Sequence, residues 1–125
     1  MKLAIRMGVV IAALAFAPEV DAHAFLERAT PAVGSRIFVA PTAVELRFTA
    51  ELEPAFSTIK VLDKNGKQVD LMDKAVDSND RTLLHVSLPV LPLGIYKVVW
   101  RVVTTESHAT QGTFTFEVAQ LASTH

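Results

Sequence analysis

The sequence predicts an all-β protein, an immunoglobulin-like Greek-key β-sandwich or barrel of about seven strands, preceded by a cleavable signal peptide. Two observations predict the strands. Short runs alternate apolar and polar residues with the two-residue period of a half-buried strand, and turn signals separate these runs about every 8 to 12 residues. No helical periodicity follows the signal peptide, and a chain of 125 residues has the length of one domain.

Residues 1–22 have the three parts of a secretory signal peptide. Lys2 and Arg6 are basic, residues 7–17 are apolar, and small residues lie just before the end of the segment. The apolar run has about half of the ~20 residues that a membrane-spanning helix needs, so no membrane insertion is predicted. The sequence therefore predicts export to the periplasm and a mature domain of residues 23–125.

The cleavage position decides which residue begins the mature chain. A cut after Ala22 exposes His23, whereas the motif Ala22-His23-Ala24 offers a rival cut after Ala24 that would discard the histidine. An N-terminal histidine presents its α-amine and its imidazole Nδ1 to one metal ion as a six-membered chelate, which an internal histidine does not. An α-amine ordinarily titrates near ~7.7 to 8.0, so a metal ion displaces its proton at neutral pH.

Alternating runs follow one another along the mature chain. Asn65-Gly66 is a strong turn signal between two of them, and the polar segment 73–81 is predicted to be a loop. The predicted strands are 44–48, 58–62, a weak run at 69–71, 82–88, 96–103 and 113–118.

The connection between the last two predicted strands carries the candidate binding residues. It runs over residues 104–112, is rich in small polar residues, and ends in Gly112, which permits a bulge or a positive φ. Glu106 and His108 lie two residues apart within it, and a hairpin would hold them at the rim of a sheet, where binding residues are common. For a Glu-x-His pair alone, a solvated loop is the competing interpretation.

Composition argues against several partners and reactions. The chain has 12 Lys and Arg against 13 Asp and Glu, and removing residues 1–22 takes two residues of each sign, so the net charge stays −1. A nucleic acid or an anionic membrane surface would need a clustered basic footprint. Cysteine is absent, which excludes disulfides and thiolate metal sites. Without a nucleophile elbow or a phosphate-binding glycine loop, an enzyme is not predicted.

Histidines and one carboxylate favour a copper site. His23 supplies two nitrogens, His108 a third and Glu106 an oxygen, and tetragonal N/O coordination is what Cu(II) prefers. The first strand of the sandwich is expected to lie beside the last hairpin, which would let the two parts of this set meet. The other histidines, His85 and His125, are interpreted as a surface strand residue and a residue of the chain terminus.

Motifs in a fixed order span the mature chain. They are His23-Ala24-x-Leu26, Pro31-Ala32-x-Gly34, Val44-x-Leu46-x-Phe48, Gly94-x-Tyr96-x-Val98-x-Trp100-Arg101-Val102-Val103, an acidic-x-His motif and Gly112-x-Phe114-x-Phe116-x-Val118. As an ordered set they resemble the CopC family of periplasmic copper-resistance proteins. The resemblance implies a seven-stranded β-barrel or sandwich that binds one Cu(II) ion through an N-terminal histidine, as amine plus imidazole, and through an Asp and a His of the late loop. In this sequence those positions fall on His23, Glu106 and His108.

Two departures from the family pattern bear on copper. The late loop has Glu106 where the family usually has aspartate, and the extra methylene changes the reach of the carboxylate. Some members carry a methionine-rich Cu(I) loop, but Met72 is the only methionine of the mature chain, so the chain resembles the Cu(II)-only branch. The family pattern around His23 also favours cleavage after Ala22.

The predicted function is that of a periplasmic Cu(II) carrier or buffer in copper homeostasis and resistance, with an inner-membrane copper transporter as a candidate partner. Two alternatives stay open. One is a metal-free immunoglobulin-like interaction module of the cell envelope, which apo and copper-loaded spectra would distinguish. The other is a histidine-brace copper oxidase, against which a carboxylate-containing four-ligand site argues because it leaves little room for oxygen or substrate. Ascorbate-driven peroxide production would test that alternative.

Overall fold

The computed structural model describes residues 24–121. The signal peptide predicted at 1–22, the candidate ligand His23 and the terminal His125 lie outside this range. Within it the fold is a sandwich of two four-stranded sheets, which confirms the predicted all-β class. The helical structure in this range is a short 3-10 turn, Pro54–Phe56, and none of its helices is long and apolar enough to cross a membrane.

Eight strands form the two sheets of the described chain. In chain order they are β1 (Leu26–Thr30), β2 (Arg36–Ile37), β3 (Ala43–Phe48), β4 (Thr58–Leu62), β5 (Ala75–Val76), β6 (Leu83–Ser87), β7 (Gly94–Val103) and β8 (Ala109–Val118). One sheet has the order β1-β3-β6-β5 and the other the order β2-β8-β7-β4. These pairings are antiparallel except that of β2 with β8, which is parallel. Most consecutive strands lie in different sheets, as in a Greek-key sandwich.

The core lies between the inner faces of the two sheets. Buried and exposed residues alternate along β7, as the two-residue period of a strand requires. Trp100 of β7 meets Phe48 of β3 edge to face, with ring centroids 5.0 Å apart, and Tyr96 stacks on Phe116 at 5.7 Å. Such aromatic pairs stabilise a core beyond their buried area. The contact between Phe48 and Trp100 ties the two sheets together close to the end of β7.

Two predicted segments differ from the structure. Residues 69–71 form no strand. The Val69 amide donates to the Val61 carbonyl at 2.8 Å, but the Val61 amide donates to the buried Asp70 carboxylate at 2.8 Å, so the backbone pairing with β4 does not continue. The segment 73–81, predicted to be a loop, contains the short strand β5, which pairs with β6. Strands β2 and β5 have two residues each, too few to show a periodicity, and this is why neither is among the predicted runs.

Gly112 lies inside β8 and does not end the loop. It pairs with Trp100 in a continuous register and is not among the glycines with positive φ, so the predicted bulge or positive φ is wrong. The reason for glycine here is close packing. A Cβ atom at this position would lie 2.6 Å from Cζ2 of Trp100.

Replacing Gly112 by alanine is expected to lower the free energy of unfolding by about 1 to 3 kcal/mol, the usual cost of forcing extra volume into a packed core. The Trp100 ring would have to move away from the strand that it covers. Denaturant unfolding measures this change, and Thr113→Ala, at an exposed neighbouring position of β8, is the control that should change stability little. Equal stability of the Gly112→Ala variant and the unmodified chain would contradict the packing described here.

Candidate metal centre

The loop between β7 and β8 holds Glu106 and His108 at one end of the sandwich. It spans residues 104–108 and is shorter than the predicted 104–112, because residues 109–112 continue the antiparallel ladder with β7. Residues 109–112 are Ala, Thr, Gln and Gly, a run without large apolar residues at alternate positions, so no strand was predicted there. Both candidate side chains are exposed, so a metal ion in solution has access to them.

Thr104 closes this loop through its backbone and its side chain. Its amide donates to the His108 carbonyl at 2.8 Å, and its carbonyl accepts the Ser107 amide at 2.8 Å. Its hydroxyl oxygen accepts the amides of Glu106 and His108 at 3.3 and 3.2 Å. Ser107 has a left-handed backbone conformation, with φ of 70°, and turns the chain between the two candidate ligands. The loop is therefore a defined turn.

A neighbouring segment supports the loop from one side. Leu52 is fully buried and forms an isolated bridge with Thr104. The Thr105 amide donates to the Glu51 carbonyl at 3.1 Å, and the Glu53 amide donates to the last carbonyl of β7 at 2.7 Å. Because Leu52 points into the core, the side chains on either side of it point outward. The backbone of residues 51–53 therefore holds the loop from one side.

The N-terminal end of the described chain meets β8 next to this loop. Ala24 is buried, and its carbonyl accepts a hydrogen bond from the Thr110 hydroxyl at 2.9 Å. The Phe25 amide donates to the Thr49 hydroxyl at 2.9 Å, and the Phe25 carbonyl accepts the Thr49 amide at 3.0 Å. Ala24 is thus fixed to a residue only two positions after His108.

Strand β1 does not lie beside the last hairpin, contrary to the expectation from the sequence. It pairs with β3 in the opposite sheet, and the strand on the outer edge of β8 is the short parallel β2, which pairs with Glu117 and Val118. The N-terminal segment contacts the hairpin through Ala24, before β1 begins.

Glu106 and His108 do not complete a metal site by themselves. Residues 24–121 contain no group of three or more His, Asp or Glu side chains that could hold a metal ion. The candidate set needs the two nitrogens of His23, which precedes the described chain. His85 lies in β6, half-buried on the outer face, with Glu45 and Ala75 as its strand partners, and this matches the predicted surface position.

A concave surface lies far from the β7–β8 loop. An apolar groove of about 700 Å³ is lined mainly by residues 37–43. Ile37 pairs with Val118 at the end of β8 that is farthest from the β7–β8 loop. The groove is therefore separate from the candidate ligands.

Sequence comparison identifies the family of the chain. The family model of the CopC domain matches residues 26–119. The chain belongs to the CopC family. This agrees with the order of motifs along the sequence and with the two-sheet fold.

Three similar proteins each match most of this chain. Protein YobA of Escherichia coli K12 is 33% identical over 102 residues, which are 81% of this chain and 82% of that protein. Copper resistance protein C of Pseudomonas syringae pv. tomato is 32% identical over 117 residues, 89% of this chain and 88% of its own length. The copper transport protein CutJ of Bacillus subtilis is 29% identical over 109 residues, 86% of this chain. This chain spans only 20% of the length of CutJ.

Solved structures that are similar to this chain have the same fold. The crystal structure of CopC from Methylosinus trichosporium OB3b superposes with a TM-score of 0.74 at 31% identity, covering 82% of this chain and 100% of that one. The crystal structure of PcoC, a methionine-rich copper resistance protein from Escherichia coli, gives a TM-score of 0.69 at 28% identity, with coverage of 78% and 100%. The similarity extends over the sandwich as a whole.

The residues that hold the candidate ligands in place were not predicted from the sequence. Thr104 carries a local signal, since a threonine hydroxyl commonly accepts backbone amides a few residues later in a turn. Thr110 carries no such signal, because its partner Ala24 is 86 residues away in the sequence. The contacts of Thr104 were therefore predictable from the sequence, and the contact of Thr110 with Ala24 was not.

Proposed function

We propose that this chain binds one Cu(II) ion and acts as a periplasmic copper carrier or buffer in copper homeostasis and resistance. In this proposal the signal peptide of residues 1–22 is removed, and the mature chain begins at His23. The amine and imidazole of His23, the carboxylate of Glu106 and the imidazole of His108 hold the ion. The protein is a binding protein in this role and not an enzyme.

One observation carries the proposal. The hydrogen bond between Thr110 and the Ala24 carbonyl fixes the residue that follows His23 against the strand that begins directly after His108. His23 is covalently joined to Ala24, and this supports the proposal that the N-terminal donors and the loop donors bind the same ion. Within the described chain, this hydrogen bond connects the N-terminal segment with the β7–β8 hairpin next to the loop ligands.

The donor chemistry fits Cu(II). Three nitrogens and one carboxylate oxygen form the kind of N/O set that Cu(II) takes in tetragonal geometry, whereas Cu(I) prefers sulfur. Met72 is the only methionine within residues 24–121. It follows Asp70, whose carboxylate accepts its amide in the segment beside β4, so no thioether belongs to the β7–β8 loop. The relative PcoC is described as methionine-rich, and the present chain is not.

An inner-membrane copper transporter is the proposed partner. The relative CutJ is called a copper transport protein, and the region similar to this chain is only 20% of its length. In that protein a domain of this family is therefore continuous with a much longer chain. We propose that the separate domain serves a transporter in the same way.

A Cu(II) titration of the exported protein tests the proposal. Intact mass is expected to give a chain that begins at His23, and the titration is expected to saturate at one Cu(II) per chain. The electron spin-resonance spectrum should show coupling to several nitrogens. A mature chain that begins after Ala24, or a copper-loaded spectrum without nitrogen coupling, would contradict the proposal. Copper-dependent peroxide production from ascorbate would favour an oxidase instead.

A further inference from the structure

The hydroxyl of Thr104 makes contacts that the hairpin itself does not require. The turn is already closed by two backbone hydrogen bonds, from Thr104 to His108 and from Ser107 to Thr104, each 2.8 Å long. The side-chain oxygen adds bonds from the amides of Glu106 and His108, at 3.3 and 3.2 Å. These amides belong to the two loop residues of the proposed ligand set.

The surroundings of Thr104 keep this oxygen in place. The residue is 2% exposed, and its backbone bridges to the buried Leu52. A side chain enclosed in this way has little freedom to rotate, and a β-branched residue has few rotamers. The loop above it is exposed. The single buried acceptor therefore holds two amides of an otherwise solvent-facing turn.

We propose that Thr104 is a positioning residue of the copper site, which fixes the directions in which Glu106 and His108 leave the backbone. The inference rests on the proposed function, since it assumes that these two residues bind Cu(II). Both ligand residues share one acceptor, so a shift of either amide disturbs the other. The hydroxyl makes the loop half of the site preorganised before the metal ion arrives, which lowers the ordering cost of binding.

The test compares Thr104→Val, which keeps the shape and removes the acceptor, with Thr104→Ser, which keeps the acceptor. Thr104→Val is expected to weaken Cu(II) binding by about 10-fold to 100-fold, the usual effect of losing a group that orients a metal ligand. Its spin-resonance parameters should also differ from those of the unmodified protein. Thr104→Ser should restore both the affinity and the spectrum.

A control separates positioning from stability. The Ser57 side chain is fully buried and accepts the Val103 amide at 3.2 Å, next to the loop but away from the ligand amides. Ser57→Ala should therefore lower the unfolding midpoint and leave the copper affinity unchanged. In the copper-free protein, hydrogen exchange at the amides of Glu106 and His108 should be faster in Thr104→Val than in Ser57→Ala, and this readout needs no metal.

The outcomes distinguish the inference from the function on which it rests. If Thr104→Val binds Cu(II) with unchanged affinity and spectrum while His108→Ala does not bind, the positioning role is wrong and the copper site stands. If the unmodified mature protein binds no Cu(II) at the loop, both proposals fail together. If Ser57→Ala loses affinity as Thr104→Val does, the effect is one of stability, and the positioning role is again wrong.

Discussion

Replacing His108 by alanine is expected to lower the affinity for Cu(II) by more than about 100-fold. Groups that only orient a metal ligand are worth about 10-fold to 100-fold in affinity, so loss of a ligand should cost more. His108 is the only histidine of the β7–β8 loop. Within residues 24–121, no group of three or more His, Asp or Glu side chains could hold the ion instead. A competition titration with a chelator of known affinity measures the change.

His85→Ala is the matched control for this experiment. His85 is half-buried in the middle of β6, in the opposite sheet, with Glu45 and Ala75 beside it. Its removal takes away one imidazole of the chain and leaves the loop intact, so copper affinity should stay within about twofold, as expected for a change at a site that shares no partner with the loop. If His85→Ala lowered the affinity for Cu(II) and His108→Ala did not, the metal site would not be in the β7–β8 loop, and the proposed ligand set would be wrong.

The fold was largely predictable because its long strands are regular. Strands β3, β4, β6 and β7 bury every second residue, and this alternation is a property of local sequence. The two-residue strands β2 and β5 were not predictable, since they form where a passing segment reaches the edge of β8 or β6. Pairing of that kind depends on the position of the partner strand, which no local pattern records.

Asp70 and Gly112 show why a local pattern misleads at two other positions. The run 69–71 alternates as a strand does, but after one backbone hydrogen bond from Val69 to Val61 the Asp70 carboxylate accepts the Val61 amide, and the pairing with β4 ends there. Gly112 is conformationally free in isolation, yet it is required here because the Trp100 ring covers its Cα. In both cases a tertiary contact decides the role of the residue, whereas the local sequence pattern predicts a different role.

One part of the candidate site was predictable from the sequence, and the other part was not. Glu106 and His108 were assigned from their place in a late connection and from the family pattern, and the structure puts both in one exposed turn. Whether they bind copper stays a prediction. The contact of Ala24 with Thr110 joins residues 86 positions apart, so only the folded chain shows that the N-terminal segment and the loop meet. The part of the site that depends on this meeting is the N-terminal chelate.

Acetylating the α-amine of a mature chain that begins at His23 is expected to lower Cu(II) affinity by more than about 100-fold at neutral pH, again because a ligand is lost. An acetylated nitrogen is an amide and no longer offers the lone pair that closes the chelate ring with the imidazole. The fold should be unaffected, because Ala24 and Phe25 are held by Thr110 and Thr49 through bonds that do not involve the amine. Circular dichroism and a copper titration of the same sample measure both properties.

Two comparisons make the result specific to the chelate. A chain that retains residues 1–22 also has His23 in an internal peptide bond, so it should bind Cu(II) as weakly as the acetylated chain. The His23→Ala variant keeps a free amine but lacks the imidazole, and it should lose affinity as well, since neither donor closes the ring alone. If the acetylated chain binds Cu(II) as tightly as the free-amine chain, the proposal of an N-terminal chelate is wrong. The remaining donors would then be those of the β7–β8 loop, where His108 and Glu106 supply at most two ligands.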